Sequence, residues 1–352
     1  MMVKVGLIGF GLAGQAFHAP VIRGVAGMEL ACILERRGSR ARERYPEIRV
    51  ARTLDDLLAD KQIQLCVVAT PNDSHFELAR ACLLAGRHVV VDKPFAPTLG
   101  ESQELVHLAV EKGRLITVYH DRRWDGIFHT VKKIVQSGKL GEIAEYECRF
   151  DRFRLDPKPG AWRERADFPG AGVLFDLGPH VIDQALVLFG EPEAITASAF
   201  CQRATSQVDD AFDVGLEYPR MRATVSARIV AYAPGPHVLI HGTKGSFLKC
   251  GMDPQEPILR GPHPPDGLDW GADWGLEPED RWGTLSVVGE ASVKVRTERG
   301  DYRGFYANVR DAVETNVPLE VTPQQALNAM RAIVLAHKSS RERRTVGWNE
   351  AV

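Results

Sequence analysis

Near its start the chain reads Gly9-Phe10-Gly11-Leu12-Ala13-Gly14, a full G-x-G-x-x-G. An apolar strand pattern runs into it and helical periodicity follows, which is the context a dinucleotide-binding turn requires. The first glycine permits the tight turn. The second lets backbone amides approach a pyrophosphate at a helix N-terminus, and the third lets helix and strand pack closely. A glycine turn that binds nothing is the rival reading. A second apolar run ends in Glu35, about 20–25 residues beyond the glycines, where a carboxylate takes the ribose hydroxyls of NAD. Arg36 and Arg37 follow at once, and a guanidinium there could hold the 2′-phosphate of NADP or stack on adenine. The carboxylate should repel that phosphate, so the two signals lean slightly to NAD, with tolerance of both.

The elements that must position this turn alternate between strand and helix. Apolar runs end at Gly9, Leu34, Thr70, Asp92 and Tyr119, with helical patterns over 74–85 and 99–112. That is a doubly wound parallel sheet with helices on both faces, a Rossmann domain over 1–120. Beyond it the texture changes. A helix is expected over 127–137 and an alternating strand over 142–150. Strands follow near 193–202, 208–218, 222–232, 236–242 and 245–250, with almost no helix between them. Residues 121–352 thus read as an α+β domain with a large, mostly antiparallel sheet, one face open. The Pro/Gly/Trp-rich segment 252–283 reads as a long surface excursion. Its Trp270 and Trp274, with Trp282, could wall a substrate cleft, with an interface or local packing as the alternative. Helices near 303–315 and 323–339 close the chain, and the last can pack back on the first domain.

Bulk properties narrow the function classes. A chain of 352 residues allows about two domains. A net charge of -2 gives no reason to expect nucleic acid or an acidic membrane as partner. No apolar run approaches the ~18 residues of a membrane span, and no signal-peptide pattern precedes the first strand. The six cysteines show no CxxC and no clustering with histidine. Most sit in apolar runs, so they read as reduced core residues of a cytoplasmic protein, with no metal site. The remaining histidines form no metal-spaced set; His18 and His75 read as packing or cofactor-proximal residues. A hydrolase elbow, G-x-S-x-G, is absent from the sequence.

Further motifs come in a definite order. Thr70-Pro71-Asn72 with His75 is followed by Asp92-Lys93-Pro94, then Asp121-Arg122-Arg123-Trp124, then Trp162-Arg163 and Gly170-Ala171-Gly172. The last runs from Asp176 through Leu177-Gly178-Pro179-His180-Val181-Ile182 to Asp183. This set resembles the glucose–fructose oxidoreductase / inositol dehydrogenase / rhizopine-catabolism (Gfo/Idh/MocA) family over essentially the whole chain. Its scyllo-inositol dehydrogenase-like branch fits best, including the Asp-Lys-Pro variant and the segment Asp253-Pro254-Gln255-Glu256. The resemblance implies a Rossmann domain joined to a domain whose open sheet face commonly forms the oligomer interface, giving a dimer or tetramer. It also implies that Lys93, Asp176 and His180 are catalytic. Thr70, Pro71, Asn72, His75, Asp92, Asp121 and the Trp162-Arg163 pair would lie near the cofactor, and the substrate would be a polyol or sugar. Two departures stand out: Asp92 replaces the commoner glutamate, one methylene shorter, and Asp121 stands where close relatives often have asparagine.

Hydride transfer from an alcohol needs a nicotinamide at the carbon and a group that takes the hydroxyl proton. Lys93 emerges from an apolar strand at the carboxyl end of a parallel sheet, where open α/β sheets bind ligands. It could orient the hydroxyl and stabilise developing alkoxide charge; a surface lysine before a turn proline is the rival. His180 is the better proton carrier. Asp176 four residues earlier and Asp183 three later share its helical face, and a carboxylate there could fix the imidazole's tautomer. Pro179 disturbs that helix, so either the segment kinks or Asp176 lies just outside it. A capping aspartate beside a satisfied histidine is the plain alternative. The expected activity is reversible oxidation of a secondary hydroxyl on a cyclic polyol or sugar, with Arg122, Arg152, Asp176 and Asp183 as hydroxyl partners. The rival activities are a nicotinamide-assisted glycosidase or a sugar–sugar oxidoreductase that retains its cofactor. A catalytically silent dinucleotide-binding regulator is the rival from another class, against which the presence of both Lys93 and His180 argues.

Overall fold

Strands buried on both faces read as continuous apolar runs, and the first half of the chain is built from them. In the computed structural model, which describes residues 2–157 and 160–351, β1 (Val3–Ile8), β2 (Met28–Leu34), β3 (Arg49–Ala51), β4 (Leu65–Val68), β5 (His88–Val91) and β6 (Ile116–Val118) form one parallel sheet. Its order is β3-β2-β1-β4-β5-β6, so strands are added to one side of β1 and then, from β4, to the other, and the switch between β1 and β4 is the crevice where such sheets take ligands. The crossovers are helical: α1 (Ala19–Arg23), α2 (Arg40–Arg44), α3 (Leu54–Leu58), α4 (His75–Leu84) and α5 (Leu99–Glu111). α5 starts at a reciprocal capping box, Thr98 with Glu101. That cap anchors the chain just beyond Asp92-Lys93-Pro94.

The second sheet is built differently. β7 (Ile143–Arg149) through β15 (Val346–Gly347) form nine strands in the order β14-β13-β12-β11-β7-β10-β9-β8-β15. The others are β8 (Ala194–Phe200), β9 (Ala211–Glu217), β10 (Arg222–Arg228), β11 (Val238–Gly242), β12 (Gly245–Lys249), β13 (Gly283–Val287) and β14 (Val293–Val295). Pairing is antiparallel except between β10 and β7. Alternation sets the faces: Tyr146, Cys148, Phe212, Val214, Ala223, Val225 and Ile240 are buried. The opposite face carries Glu145, Arg149, Asp213, Glu217, Arg222, Thr224 and Arg228, half-buried or exposed. Helices α6 (Gly126–Gln136), α7 (Val173–Asp176) and α8 (Gly178–Phe189) belong to the same half, and α8 packs on β10.

Two compact units result. The first runs through Asp121 and also takes in Gln255–Trp274 and Asp301–Leu327; the second holds Arg122–Pro254, Gly275–Gly300 and the chain from Asn328 onward. The first unit is therefore discontinuous in sequence, beyond what a single boundary near residue 120 describes. Its returning parts are α9 (Gln255–Leu259), α10 (Arg303–Thr315) and the start of α11 (Pro323–Glu342). α10 packs on α1 and β1, and Thr117 Oγ1 donates to the Val321 carbonyl at 2.7 Å.

The expected surface excursion is a correction. Trp270 and Trp274 are buried at 8% and 5% exposure, their rings crossing at 4.4 Å. The Arg303 guanidinium lies 4.8 Å over Trp270, so these two indoles pack within the first unit, while most of the chain around them over 260–273 is half-buried or exposed. Among the described residues no helix is long and apolar enough to cross a membrane, and no group of three metal-capable side chains comes together.

Candidate active site

β1 delivers the glycine turn. Gly9 adopts φ +101, and a Cβ there would sit 2.7 Å from the Ala69 carbonyl oxygen. A Cβ on Gly14 would collide with the Gly9 carbonyl. Both positions need glycine for the fold itself. Gly11 differs: a Cβ there would meet nothing within 4 Å. The protein leaves open space at the glycine whose role is close approach of a pyrophosphate, so the residues present fit a dinucleotide. Phe10 is buried, Leu12 is exposed, and Gln15, which sequence reasoning passed over, braces the turn by donating to the Phe10 carbonyl at 2.8 Å. Ala13 leads into the helical turns Gly14–His18 and α1.

Glu35 follows β2 and is 8% exposed. Its Oε2 accepts the Ala41 backbone N–H at 3.2 Å, so the carboxylate holds the start of α2. Arg52, another residue without a motif to mark it, donates to the Glu35 and Gly38 carbonyls at 2.7 and 2.9 Å and shapes the loop. Arg36 and Arg37 project outward and line a cavity of about 480 Å³.

The next two strands supply the loops beside the turn. After β4, Ser74 Oγ lies 2.8 Å from both Thr70 Oγ1 and the Pro71 carbonyl oxygen, while Asn72 is buried. His75 lies between loops: Nδ1 is 2.8 Å from the Pro94 oxygen and Nε2 2.9 Å from the Thr70 oxygen. Burial pushes its basicity down, against the pull of Asp92. After β5, Asp92 Oδ1 accepts the Lys93 backbone N–H at 2.8 Å. Burial works against ionisation of Asp92, but His18, Lys93 and His75 overcome it and bring the carboxyl to about 2. The glycine turn, Glu35, the Thr70 loop and Lys93 thus follow β1, β2, β4 and β5, four neighbouring strands, at their carboxyl ends. Asp121, also buried, opens the short turn after β6.

The second unit gathers the other expected residues. His180 sits in the first turn of α8, where Pro179 is tolerated because a first-turn N–H has no helical partner. Asp176 ends the separate helix α7, so it lies outside the helix that carries His180. Asp176 Oδ1 accepts from Arg163 Nε at 3.0 Å, and the Arg163 guanidinium lies 4.2 Å over the Trp162 ring. The Phe150 ring is a hub: His180 packs on it at 5.9 Å, with the Arg122 and Arg152 guanidiniums at 4.6 and 5.0 Å. Arg122 also pairs with Asp125 at 3.3 Å. Asp183 is buried on the same helix as His180. Both its oxygens accept from Arg123, at 2.8 and 2.6 Å, in a buried fork that holds α8.

A third residue that sequence reasoning missed supports the helix before His180. Asp209 caps α7, its Oδ2 accepting the Leu174 N–H at 2.7 Å and its carbonyl the Val173 N–H at 2.8 Å. Burial pushes its carboxyl up to about 6.

Residues 3–120 match the model of an oxidoreductase family with an NAD-binding Rossmann fold, and residues 128–248 match the Gfo/Idh/MocA C-terminal domain. The chain belongs to the Gfo/Idh/MocA oxidoreductase family. It is 40% identical over 347 residues to the uncharacterized oxidoreductase YdgJ of Escherichia coli, covering 98% of each chain. It is 36% identical to the scyllo-inositol 2-dehydrogenase (NADP(+)) IolW of Bacillus subtilis, covering 98% of this chain and 95% of IolW. The structure of an oxidoreductase from Bacillus cereus superposes with a TM-score of 0.89 at 30% identity, covering 100% of this chain and 99% of that one. As a Gfo/Idh/MocA protein the chain is an oxidoreductase, and its glycine turn is that of an NAD-binding Rossmann domain.

Proposed function

We propose that this oxidoreductase reversibly oxidises a secondary hydroxyl of a cyclic polyol or sugar. The observation that carries the proposal is Lys93, delivered by β5 to the same strand ends as the glycine turn. The similarity to IolW, a scyllo-inositol dehydrogenase by name, supports the substrate class. The nicotinamide, when bound, accepts or returns the hydride. Lys93 donates to the hydroxyl oxygen and stabilises charge as its proton leaves. His180 takes that proton, and Asp176, itself fixed by Arg163, holds the imidazole's orientation. Arg122 and Arg152, gathered on Phe150 beside His180, bind neighbouring hydroxyls.

The cofactor reading extends to NADP. With one Glu35 oxygen held by Ala41 and a cavity opening beside Arg36 and Arg37, a 2′-phosphate meets guanidinium rather than a free carboxylate. IolW carries NADP(+) in its name. The sequence alone leans to NAD because it does not show where the carboxylate turns. The proposal includes a homo-oligomer through the open face of the nine-stranded sheet and a reducing cytoplasmic setting for the six free cysteines. The test is cofactor reduction with a panel of inositols and aldoses, run with NAD and NADP in parallel. Turnover with cyclic polyols supports the reading; turnover confined to other substrate classes refutes it.

A further inference from the structure

Behind Asp92 lies a buried set to which the chemistry above gives no task. His18 and Tyr306 are both 0% exposed. His18 Nδ1 is 2.6 Å from the Tyr306 hydroxyl, and its Nε2 faces Asp92 Oδ2 at 3.9 Å. Tyr119 packs on the imidazole at 4.4 Å and donates its own hydroxyl to the Phe17 carbonyl at 2.9 Å. The other Asp92 oxygen accepts the Lys93 backbone N–H. The path from Tyr306 to the Lys93 main chain is therefore three contacts long, within one unit.

The directions of these contacts follow from charge. Burial, with Asp92 and Asp121 nearby, pushes the Tyr306 phenol well above its ordinary value, so it keeps its proton. A neutral imidazole has one N–H and one lone pair. A lone pair on Nε2 would face a carboxylate, which repels it, whereas an N–H there is attracted. The ring proton thus belongs on Nε2, and Nδ1 accepts from the Tyr306 hydroxyl.

We propose that His18 and Tyr306 are positioning residues for Lys93. Tyr306 fixes the His18 tautomer, His18 steers the Asp92 carboxylate, and Asp92 holds the Lys93 backbone at the end of β5. The proposal rests on the reading of Lys93 given above. The groups that face Asp92 are His18, His75 on α4, Lys93 next to it, Tyr119 after β6 and Tyr306 on α10. Of these, His18 gives the largest support to the ionised carboxylate, against the burial that opposes it.

Two variants and two spectra test this. His18→Phe keeps an aromatic ring against Tyr119 but removes the N–H, and Tyr306→Phe removes only the hydroxyl. Expected is a kcat loss of about tenfold or more in the first and a few-fold in the second. KM for NAD(P) should stay unchanged. With His18 gone the buried Asp92 carboxyl protonates more readily, so the titration of that carboxyl itself, followed by its carbon-13 shift, should move up by about one pH unit or more. A folded His18→Phe enzyme in which the Asp92 titration has not moved overturns the proposal. In the unmodified protein, nitrogen-15 shifts of His18 should show a protonated Nε2 and an unprotonated Nδ1; the reverse tautomer also overturns it, whether or not the variants fold. Lys93→Ala is run alongside. Full kcat in that variant refutes the reading of Lys93 itself, which is distinguishable because the tautomer is read without turnover.

Discussion

The three glycines of one turn are there for two physical reasons, and these separate in experiment. Gly14 and Gly9 are packed against backbone, so adding a side chain there strains the fold. Gly11 faces open space. Gly11→Val should therefore fold with a melting temperature near that of the parent while losing NAD(P)H binding in calorimetry; unchanged affinity would show that no pyrophosphate approaches there. The proposed choice of cofactor is tested at the end of the neighbouring strand, β2. Replacing Arg36 and Arg37 by serine should lower kcat/KM with NADP by roughly tenfold, about the 1.4 kcal/mol of one charged contact, with NAD little affected. Equal losses with both cofactors would remove these arginines from the 2′-phosphate. The motif residues stand out in the sequence because each is constrained by type: glycine by space, lysine and histidine by the chemistry proposed for them. Glu35 was legible as a strand-end carboxylate but not as a ligand of Ala41, since periodicity does not report where an oxygen turns.

At the level of elements, sequence patterns named most strands and helices because apolar period and strand burial agree. The strands over Gly283–Val287, Val293–Val295 and Val346–Gly347 were missed; they are short and at or near the sheet edges, with little apolar period to betray them. The 252–283 segment misled for the opposite reason: proline and glycine mark a loop, but they do not show that Trp270 packs against Arg303 and the turn at Gly24, with Trp274 against its ring. Helix α7 depends on a cap from Asp209, 35 residues away in sequence from the Leu174 amide it takes, which no local pattern reveals. Its carboxyl, raised to about 6 from an ordinary 3.8, binds its proton more tightly in the folded chain. Such a group contributes stability that is full below about pH 4 and is lost as pH rises through about 6. Asp209→Asn keeps an acceptor oxygen without the charge. The variant should gain stability relative to the parent between about pH 4 and pH 8, by about 1–3 kcal/mol. A difference in unfolding free energy that stays flat across that range would contradict this account of the cap.

For the molecule as a whole, the nine-stranded sheet leaves one question of partnership. Its helix-covered face is apolar; the other carries paired charges and hydroxyls such as Asp213, Thr224 and Arg228. An open sheet face of this size is expected to be covered by a second copy. Light scattering at micromolar concentration should give a multiple of the single-chain mass, and Thr224→Arg, at the centre of that face, should shift it toward the monomer. A single-chain mass for the parent protein would count against the oligomer. The central claim is the reaction itself, and one measurement meets it most directly: the rate of nicotinamide reduction with a cyclic polyol panel, for the parent, Lys93→Ala and His180→Ala. The account predicts turnover of at least one inositol by the parent and a kcat loss of roughly 10²–10⁴-fold in His180→Ala, the range for a lost general base. Lys93→Ala should fall as steeply, with cofactor affinity retained in His180→Ala. Absence of turnover across the panel, or near-parental kcat in both variants, would contradict it.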